Sequence, residues 1–125
     1  MKKTILLIED NEQNRYLATF LLEHRGYRVI QAHDGSSGIR MAAMQRPGLI
    51  LLDIQLPGMD GHAVARALRA DHSFARTPIV AVTSHAMVGD RELCLAAGCD
   101  GYIEKPINPD TFVTEIEAHL KPSTA

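Results

Sequence analysis

Short runs of uninterrupted apolar residues alternate along this chain with longer stretches in which apolar residues recur every three or four positions. Ile5-Leu6-Leu7-Ile8, Leu49-Ile50-Leu51-Leu52 and Ile79 to Val82, the last opened by Pro78, read as strands. Tyr27 to Ala32 and Gly101-Tyr102-Ile103 complete a set of five. Between them lie helical patterns. Glu12 to Arg25 carries Tyr16, Leu17, Phe20 and Leu21 at helical spacing, with Asn11 placed to cap it and Gly26 to end it. Ser36 to Gln45 puts Ile39, Ala42 and Ala43 on one face, and Gly61 to Ala70 does the same with Val64, Ala65 and Leu68. Val88 to Ala97 forms a fourth helix that Gly98 can terminate. Asn108 and Pro109 open a fifth, containing Phe112, Val113, Ile116 and Leu120.

Strands that are apolar throughout, rather than at every second residue, are buried on both faces. With helices between them, the economical arrangement is an α/β fold: a doubly wound sheet of five parallel strands, flavodoxin-like, in the order 2-1-3-4-5, with five helices on its two faces. In such sheets ligands bind beyond the carboxyl ends of the strands, at the switch point. The 125 residues make one domain, with a core over residues 4–120. No repeat, linker or low-complexity segment divides the chain.

Composition narrows the choice of chemistry. The net charge is −2 and no Lys/Arg-rich run occurs, which argues against nucleic acid as a direct partner. Cys94 and Cys99 are the only cysteines and form no CxxC pair, so they read as inert thiols of a reducing compartment, not a zinc or redox motif. The six histidines show no metal-ligand spacing and read as surface or loop residues. The apolar run after the first lysines is too short for a signal peptide, and no stretch approaches membrane-spanning length. A cytoplasmic location without membrane contact is the expectation. Gly35-Ser36-Ser37-Gly38 superficially suggests a phosphate loop, but it lacks the lysine and spacing of one and reads as a turn with a helix cap.

The candidate chemistry sits where the strands end. Glu9-Asp10 follows the first strand, Asp53 closes the third, Thr83-Ser84 the fourth, and Lys105-Pro106 follows the fifth. Each has an ordinary explanation taken singly. Acids favour a helix start, Asp53 precedes the turn Pro57-Gly58-Met59-Asp60-Gly61, hydroxyls cap helices, and a lysine is most often solvated. Jointly they place three carboxylates, a hydroxyl and an ammonium at one rim. Clustered carboxylates persist when a cation or a proton relieves their repulsion. Hard oxygen ligands of this kind suit magnesium, or manganese in its place, with few direct carboxylates and several waters, so Glu9 acts through water. Asp53 is then a candidate nucleophile, with Thr83 and Lys105 able to bind phosphoryl oxygens.

The segments ILLIEDNEQNR, LILLDIQLPGMDG, PIVAVTS and GYIEKPI, in that order, resemble the receiver domain of bacterial two-component response regulators, most closely the single-domain chemotaxis and cell-division types. The resemblance implies a phosphorylation-dependent switch. Asp53 would be the phosphoacceptor. Asp10, Asp53 and the Gln55 backbone carbonyl would bind magnesium, with Glu9 assisting through water. Thr83, Lys105 and the Ser84 backbone amide would bind the phosphoryl group, Thr83 and Tyr102 would move as the switch, and the bond before Pro106 would be cis. Gln55 and His85 stand at positions that tune phosphoryl lifetime. The donor would be a sensor histidine kinase or a histidine phosphotransfer protein. The partner face would comprise the fourth helix, fifth strand and fifth helix, with Met87, Val88, Arg91, Tyr102 and Glu104 as candidates, and the first helix around Asn14 and Arg15 would dock the kinase.

Three other readings compete. A phosphohydrolase of the haloacid-dehalogenase type needs an acid two residues after its nucleophile, where this chain has Gln55. A flavodoxin-like cofactor carrier needs a first loop that cradles phosphate, and Glu9-Asp10-Asn11-Glu12 repels it. A phosphorylation-independent binding module would not need the full set of rim residues. The chain is therefore not expected to be an enzyme beyond acting on its own phosphoryl group.

Overall fold

The computed structural model describes residues 3–84 and 87–120. Strands β1 (Thr4–Ile8), β2 (Arg28–Ala32), β3 (Leu49–Asp53), β4 (Ile79–Thr83) and β5 (Gly101–Glu104) form one parallel sheet in the order β2-β1-β3-β4-β5. The helices are α1 (Glu12–His24), α2 (Gly35–Gln45), α3 (Gly61–Arg69), α4 (Asp90–Ala97) and α5 (Phe112–Glu117). The order and parallel pairing are those expected from the apolar runs.

Alternate residues of the central strands feed two cores. Leu6, Ile8, Ile50 and Leu52 face a cluster that includes Ala42, Val64, Ala65, Leu68, Cys94 and Ala97, from α2, α3 and α4. Ile5, Leu7, Leu49 and Leu51 face Ala18, Leu22, Phe112, Val113 and Ile116, from α1 and α5. Burial on both faces explains why these strands lack the alternating pattern of a half-exposed sheet. β2 lies at the edge and is only partly covered, so Arg28 and Gln31 are exposed there.

Helix ends follow local hydrogen bonding. Asn11, Asp34 and Asp60 each accept the backbone N–H three residues on, at 2.9, 2.8 and 2.9 Å, capping α1, α2 and α3. Several boundaries or faces differ from expectation; α2 starts at Gly35 and leaves Ala43, expected on its inner face, exposed. α1 buries Ala18 and Leu22, while Tyr16 and Phe20 point outward and stack on one another and on His24 along the helix. β2 starts at Arg28 because the Tyr27 N–H closes the end of α1 on the Leu22 carbonyl, at 3.1 Å. α4 starts at Asp90, after Gly89 takes a left-handed φ of 88°, and Val88 stands free of the core. α5 starts at Phe112. Asn108 still organises its approach, accepting the Asp110 N–H on its side chain and the Phe112 N–H on its carbonyl.

At the amino-terminal end of the sheet, Arg69 ties several elements together. Its guanidinium donates to the carbonyls of Gly98 (2.8 Å), Phe74 and Thr77 (2.9 Å) and to the Asp100 carboxylate (2.6 Å). The same Asp100 oxygen accepts the Ile79 N–H at 2.9 Å, which fixes the start of β4.

At the opposite end, the turn after β3 folds back tightly onto α3. The Gly61 N–H donates to the Ile54 carbonyl at 3.0 Å. A Cβ on Gly61 would lie 2.6 Å from the Ile54 Cα and 2.7 Å from the Asp53 carbonyl oxygen. Both obstacles are backbone and cannot rotate away. Gly61→Ala is expected to lower stability by about 1–3 kcal/mol, the range for overpacking. Urea denaturation would show it as a lower midpoint at unchanged slope, and an unchanged midpoint would contradict the close approach.

Candidate functional site

Among the described residues, the buried polar or charged side chains are Glu9, Asp53 and Thr83, exposed by only 3 %, 3 % and 0 %. All three lie at the carboxyl-terminal rim of adjacent strands. β1 and β3 are neighbours, with Ile8 opposite Leu52, so Glu9 and Asp53 emerge side by side. β3 and β4 pair Asp53 with Val82, which brings Thr83 alongside. The core is otherwise apolar, so this concentration of buried polar groups marks the site.

Lys105 lies between the two buried acids. Its Nζ is 2.8 Å from Glu9 Oε1 and 3.5 Å from Asp53 Oδ1, and the side chain is only 11 % exposed. The Lys105 N–H donates to the Thr83 carbonyl at 2.7 Å, and the Lys105–Pro106 peptide is cis. Glu9 is held from both ends. Its Oε2 accepts the Asn11 N–H at 3.2 Å, and its carbonyl accepts Arg15 Nη1 at 2.8 Å. Arg15 thus anchors the loop after β1. Asn14 and Arg15 are both half-buried.

The third acid, Asp10, is exposed, yet one carboxylate oxygen from each of Glu9, Asp10 and Asp53 lies within 4.8 Å of the others. Three negative charges face one buried ammonium. Burial, with Glu9 next to it, pushes the Asp53 carboxyl well above the usual range, against the smaller opposing pulls of Lys105 and the Gln55 N–H. The set offers hard oxygen donors and surplus negative charge, and so fits a divalent cation of the magnesium type. No nitrogen or sulfur donor competes within the cluster.

One feature of the site was not legible from the chain. The Gln55 side chain spans the hydrogen-bonding groups at the end of β4. Its Nε2 donates to Thr83 Oγ1 at 2.8 Å, and its Oε1 accepts the Ser84 N–H at 3.0 Å and the Ser84 hydroxyl at 3.2 Å. Its own N–H donates to Asp53 Oδ1 at 3.1 Å. The resemblance implies a metal-binding backbone carbonyl and an influence on phosphoryl lifetime for Gln55, and neither points to this side-chain bridge. A glutamine two residues past the acid was the signal. Its direction depends on the spacing of β3 and β4.

Tyr102 is half-buried against the α3–α4 side of the core, and its hydroxyl donates to Asp90 Oδ2 at 2.6 Å. Met87, Val88, Arg91 and Glu104 are exposed, and Met87 and Val88 make no part of the core. His85 lies outside the described residues.

Comparison with known proteins now bears on this geometry. Residues 5–117 match the model of the response regulator receiver domain. The chain belongs to that family. It is 40% identical over 120 residues to the polar-differentiation response regulator DivK of Brucella anthropi, covering 96% of this chain and 98% of that protein. Among solved structures, it is similar to the chemotaxis protein CheY4 of Vibrio cholerae, with a TM-score of 0.91 and 27% identity over 96% of this chain and 100% of that one. It is also similar to the receiver domain of the Pseudomonas aeruginosa sensor histidine kinase PA1611, with a TM-score of 0.88 and 38% identity over 96% and 98% of the two chains. That domain is described with a magnesium ion coordinated in its active-site cleft. This receiver domain has the fold of single-domain response regulators and of kinase-borne receivers alike. Among its described residues no helix is long and apolar enough to cross a membrane.

The upward shift of Asp53 has a consequence for stability. Its folded-state carboxyl holds a proton at pH values where the unfolded chain has lost it. Without metal, therefore, the contribution of Asp53 to stability is greatest in acid and declines as pH rises from the ordinary carboxyl range through the raised one. Asp53→Asn removes the buried charge. It is expected to stabilise the metal-free domain by about 1–3 kcal/mol at pH 8, with little effect at pH 4. Thermal or urea denaturation at the two pH values measures this. An asparagine variant less stable at pH 8 would contradict the electrostatic account.

Proposed function

We propose that this receiver domain is the phosphorylation switch of a two-component phosphorelay, accepting a phosphoryl group on Asp53 from a phosphohistidine donor and reporting it through the face built from α4, β5 and α5. The observation that carries this reading is the convergence of a buried carboxylate, a buried ammonium, the Thr83 hydroxyl and the Ser84 N–H at one rim. Membership of the family and similarity to DivK support it.

Asp10, Asp53 and the Gln55 backbone carbonyl would hold magnesium, or manganese, with Glu9 acting through water. When bound, such an ion would supply positive charge that favours the ionised form of Asp53 and the approach of an anionic phosphoryl group. The magnesium described in the similar PA1611 domain supports that assignment.

An Asp53 oxygen then forms a bond to phosphorus as the phosphorus–nitrogen bond of phosphohistidine breaks. The electron pair of that bond stays on the imidazole, and the product is an acyl phosphate. Lys105 needs only to turn from Glu9 toward the new phosphoryl oxygens, since it already lies 3.5 Å from Asp53. The Ser84 N–H is given to Gln55 at rest, so binding of the phosphoryl group requires the Gln55 side chain to withdraw. Thr83 then turns toward the phosphoryl group. The Tyr102 ring follows and alters the exposed surface around Met87, Val88, Arg91 and Glu104. A partner that prefers the altered surface shifts the population toward it. Hydrolysis of the acyl phosphate resets the domain, which acts on its own phosphoryl group and on no other substrate. The donor is a histidine kinase or a histidine phosphotransfer protein and the downstream target another protein, in the cytoplasm, with no direct contact to nucleic acid or membrane.

Incubation with acetyl phosphate and magnesium should add one acid-labile phosphoryl group to the wild-type chain and none to Asp53→Asn, read by intact mass. Equal labelling of the variant would exclude Asp53 as acceptor. Gln55→Ala removes the side chain that bonds to Thr83 and Ser84 at rest. It is expected to bind beryllofluoride, a phosphoryl mimic, about five- to tenfold more tightly, the worth of about one net hydrogen bond. Weaker binding by that variant would show that Gln55 supports the phosphoryl group instead of competing with it.

A further inference from the structure

The chain pattern gave no reason to expect a histidine near a cysteine, yet folding places His62 and Cys94 together. His62 lies in the first turn of α3 and Cys94 in the body of α4, one turn after Asp90. His62 Nε2 is 3.6 Å from Cys94 Sγ and 4.0 Å from Asp90 Oδ1, and one donor atom from each residue lies within 4.8 Å of the others.

We propose that His62, Asp90 and Cys94 form a second metal site, separate from the acidic rim, for a borderline-soft divalent cation of the zinc type. The spacing has the dimensions of such a site. Tetrahedral zinc with ordinary bonds to imidazole and thiolate sets its nitrogen and sulfur about 3.5 Å apart, and nitrogen and carboxylate oxygen about 3.3 Å apart. The nitrogen–sulfur pair already matches. The Asp90 oxygen must close by about 0.7 Å, within reach of a side-chain rotation. Asp90 and Cys94 stand four residues apart on one helix, so they share a face. The second Asp90 oxygen accepts the Tyr102 hydroxyl at 2.6 Å, which orients the carboxylate with Oδ1 toward His62. Outer hydrogen bonds of this kind orient metal ligands.

The donor set decides the class of ion. Imidazole, thiolate and one carboxylate suit zinc and its neighbours, and do not suit magnesium or calcium. The helix amino termini oppose a cation, but the thiolate and Asp90 bring two negative charges into direct contact with it. Binding transfers the thiol proton to solvent as the sulfur–metal bond forms. Cys94 is fully buried, while His62 and Asp90 side chains are 20 % and 13 % exposed, so an ion can enter from their side and keep water in a fourth position. A bound ion clamps α3 to the first turn of α4 and holds the carboxylate that receives Tyr102. The site does not depend on the phosphorylation reading.

Cobalt(II), which reports thiolate ligation by a near-ultraviolet charge-transfer band, tests the site. The titration uses the intact protein with a non-thiol reductant and excess magnesium to fill the acidic rim. The wild type should develop the band at one equivalent and lose it on adding zinc. Cys94→Ser should abolish the band, and His62→Gln should weaken cobalt binding by more than about tenfold, since even the loss of an outer-shell partner costs that much. Cys99→Ser should retain the band. His62 is half-buried, so its variant remains informative if Cys94→Ser fails to fold. No band in the wild type, a band surviving Cys94→Ser, unchanged affinity in His62→Gln, or a band lost with Cys99→Ser would each overturn the proposal.

Discussion

A lysine ammonium buried between two carboxylates is the constraint on which the rim of this domain depends. Glu9 and Asp53 are both almost fully removed from water, where two unpaired charges would be very costly. Lys105 balances one of them and sits closer to Glu9 than to Asp53. Asp53 is therefore the acid left under-compensated, and its burial, with Glu9 beside it, raises its carboxyl. The same imbalance makes the pocket receptive to a cation. The scaffold sets this up by geometry: parallel strands covered on both faces send their carboxyl ends, and the polar residues that follow, to a single edge.

The pocket is nonetheless fully satisfied at rest. Among the described residues, no buried side-chain nitrogen or oxygen lacks a partner. Gln55 bonds to Thr83 and Ser84 at the end of β4, and Glu9 pairs with Lys105 just after β5. On the proposed reading, switching exchanges partners instead of filling empty valences, so no buried polar group is left unpaired on the way. The exposed cluster of Met87 and Val88 near α4 adds apolar surface that any rearrangement at β4 and β5 can re-present.

Much of this arrangement was written in the local pattern. The uninterrupted runs at Ile5, Leu49 and Ile79 fixed the parallel sheet, because only two-sided burial removes polar alternation. Glu9 and Asp53 were legible for the related reason that each directly follows such a run, and Lys105 because it comes just past the short fifth strand. What escaped was set by distance across the fold. Tyr16 and Phe20 have the spacing of a core face, yet the smaller Ala18 and the more apolar Leu22 take it, and the aromatics stack along the outside. The start of α4 shifted because Gly89 adopts a left-handed backbone. The reach of Gln55 to Thr83, and of His62 to Cys94, joins residues 28 and 32 positions apart, and no local period encodes such pairs.

The Arg69 guanidinium has a mechanical meaning. By gripping the Gly98 carbonyl, it secures the tail of α4 to α3, while Asp100 secures the neighbouring start of β4. The head of α4, beginning at Asp90, lacks a side-chain cap and follows a glycine. A helix pinned at its tail cannot slide as a block. Any displacement at its head becomes a tilt about the arginine as fulcrum, so small motions near Tyr102 are carried as a change of angle to whatever rests on the outer surface of that helix.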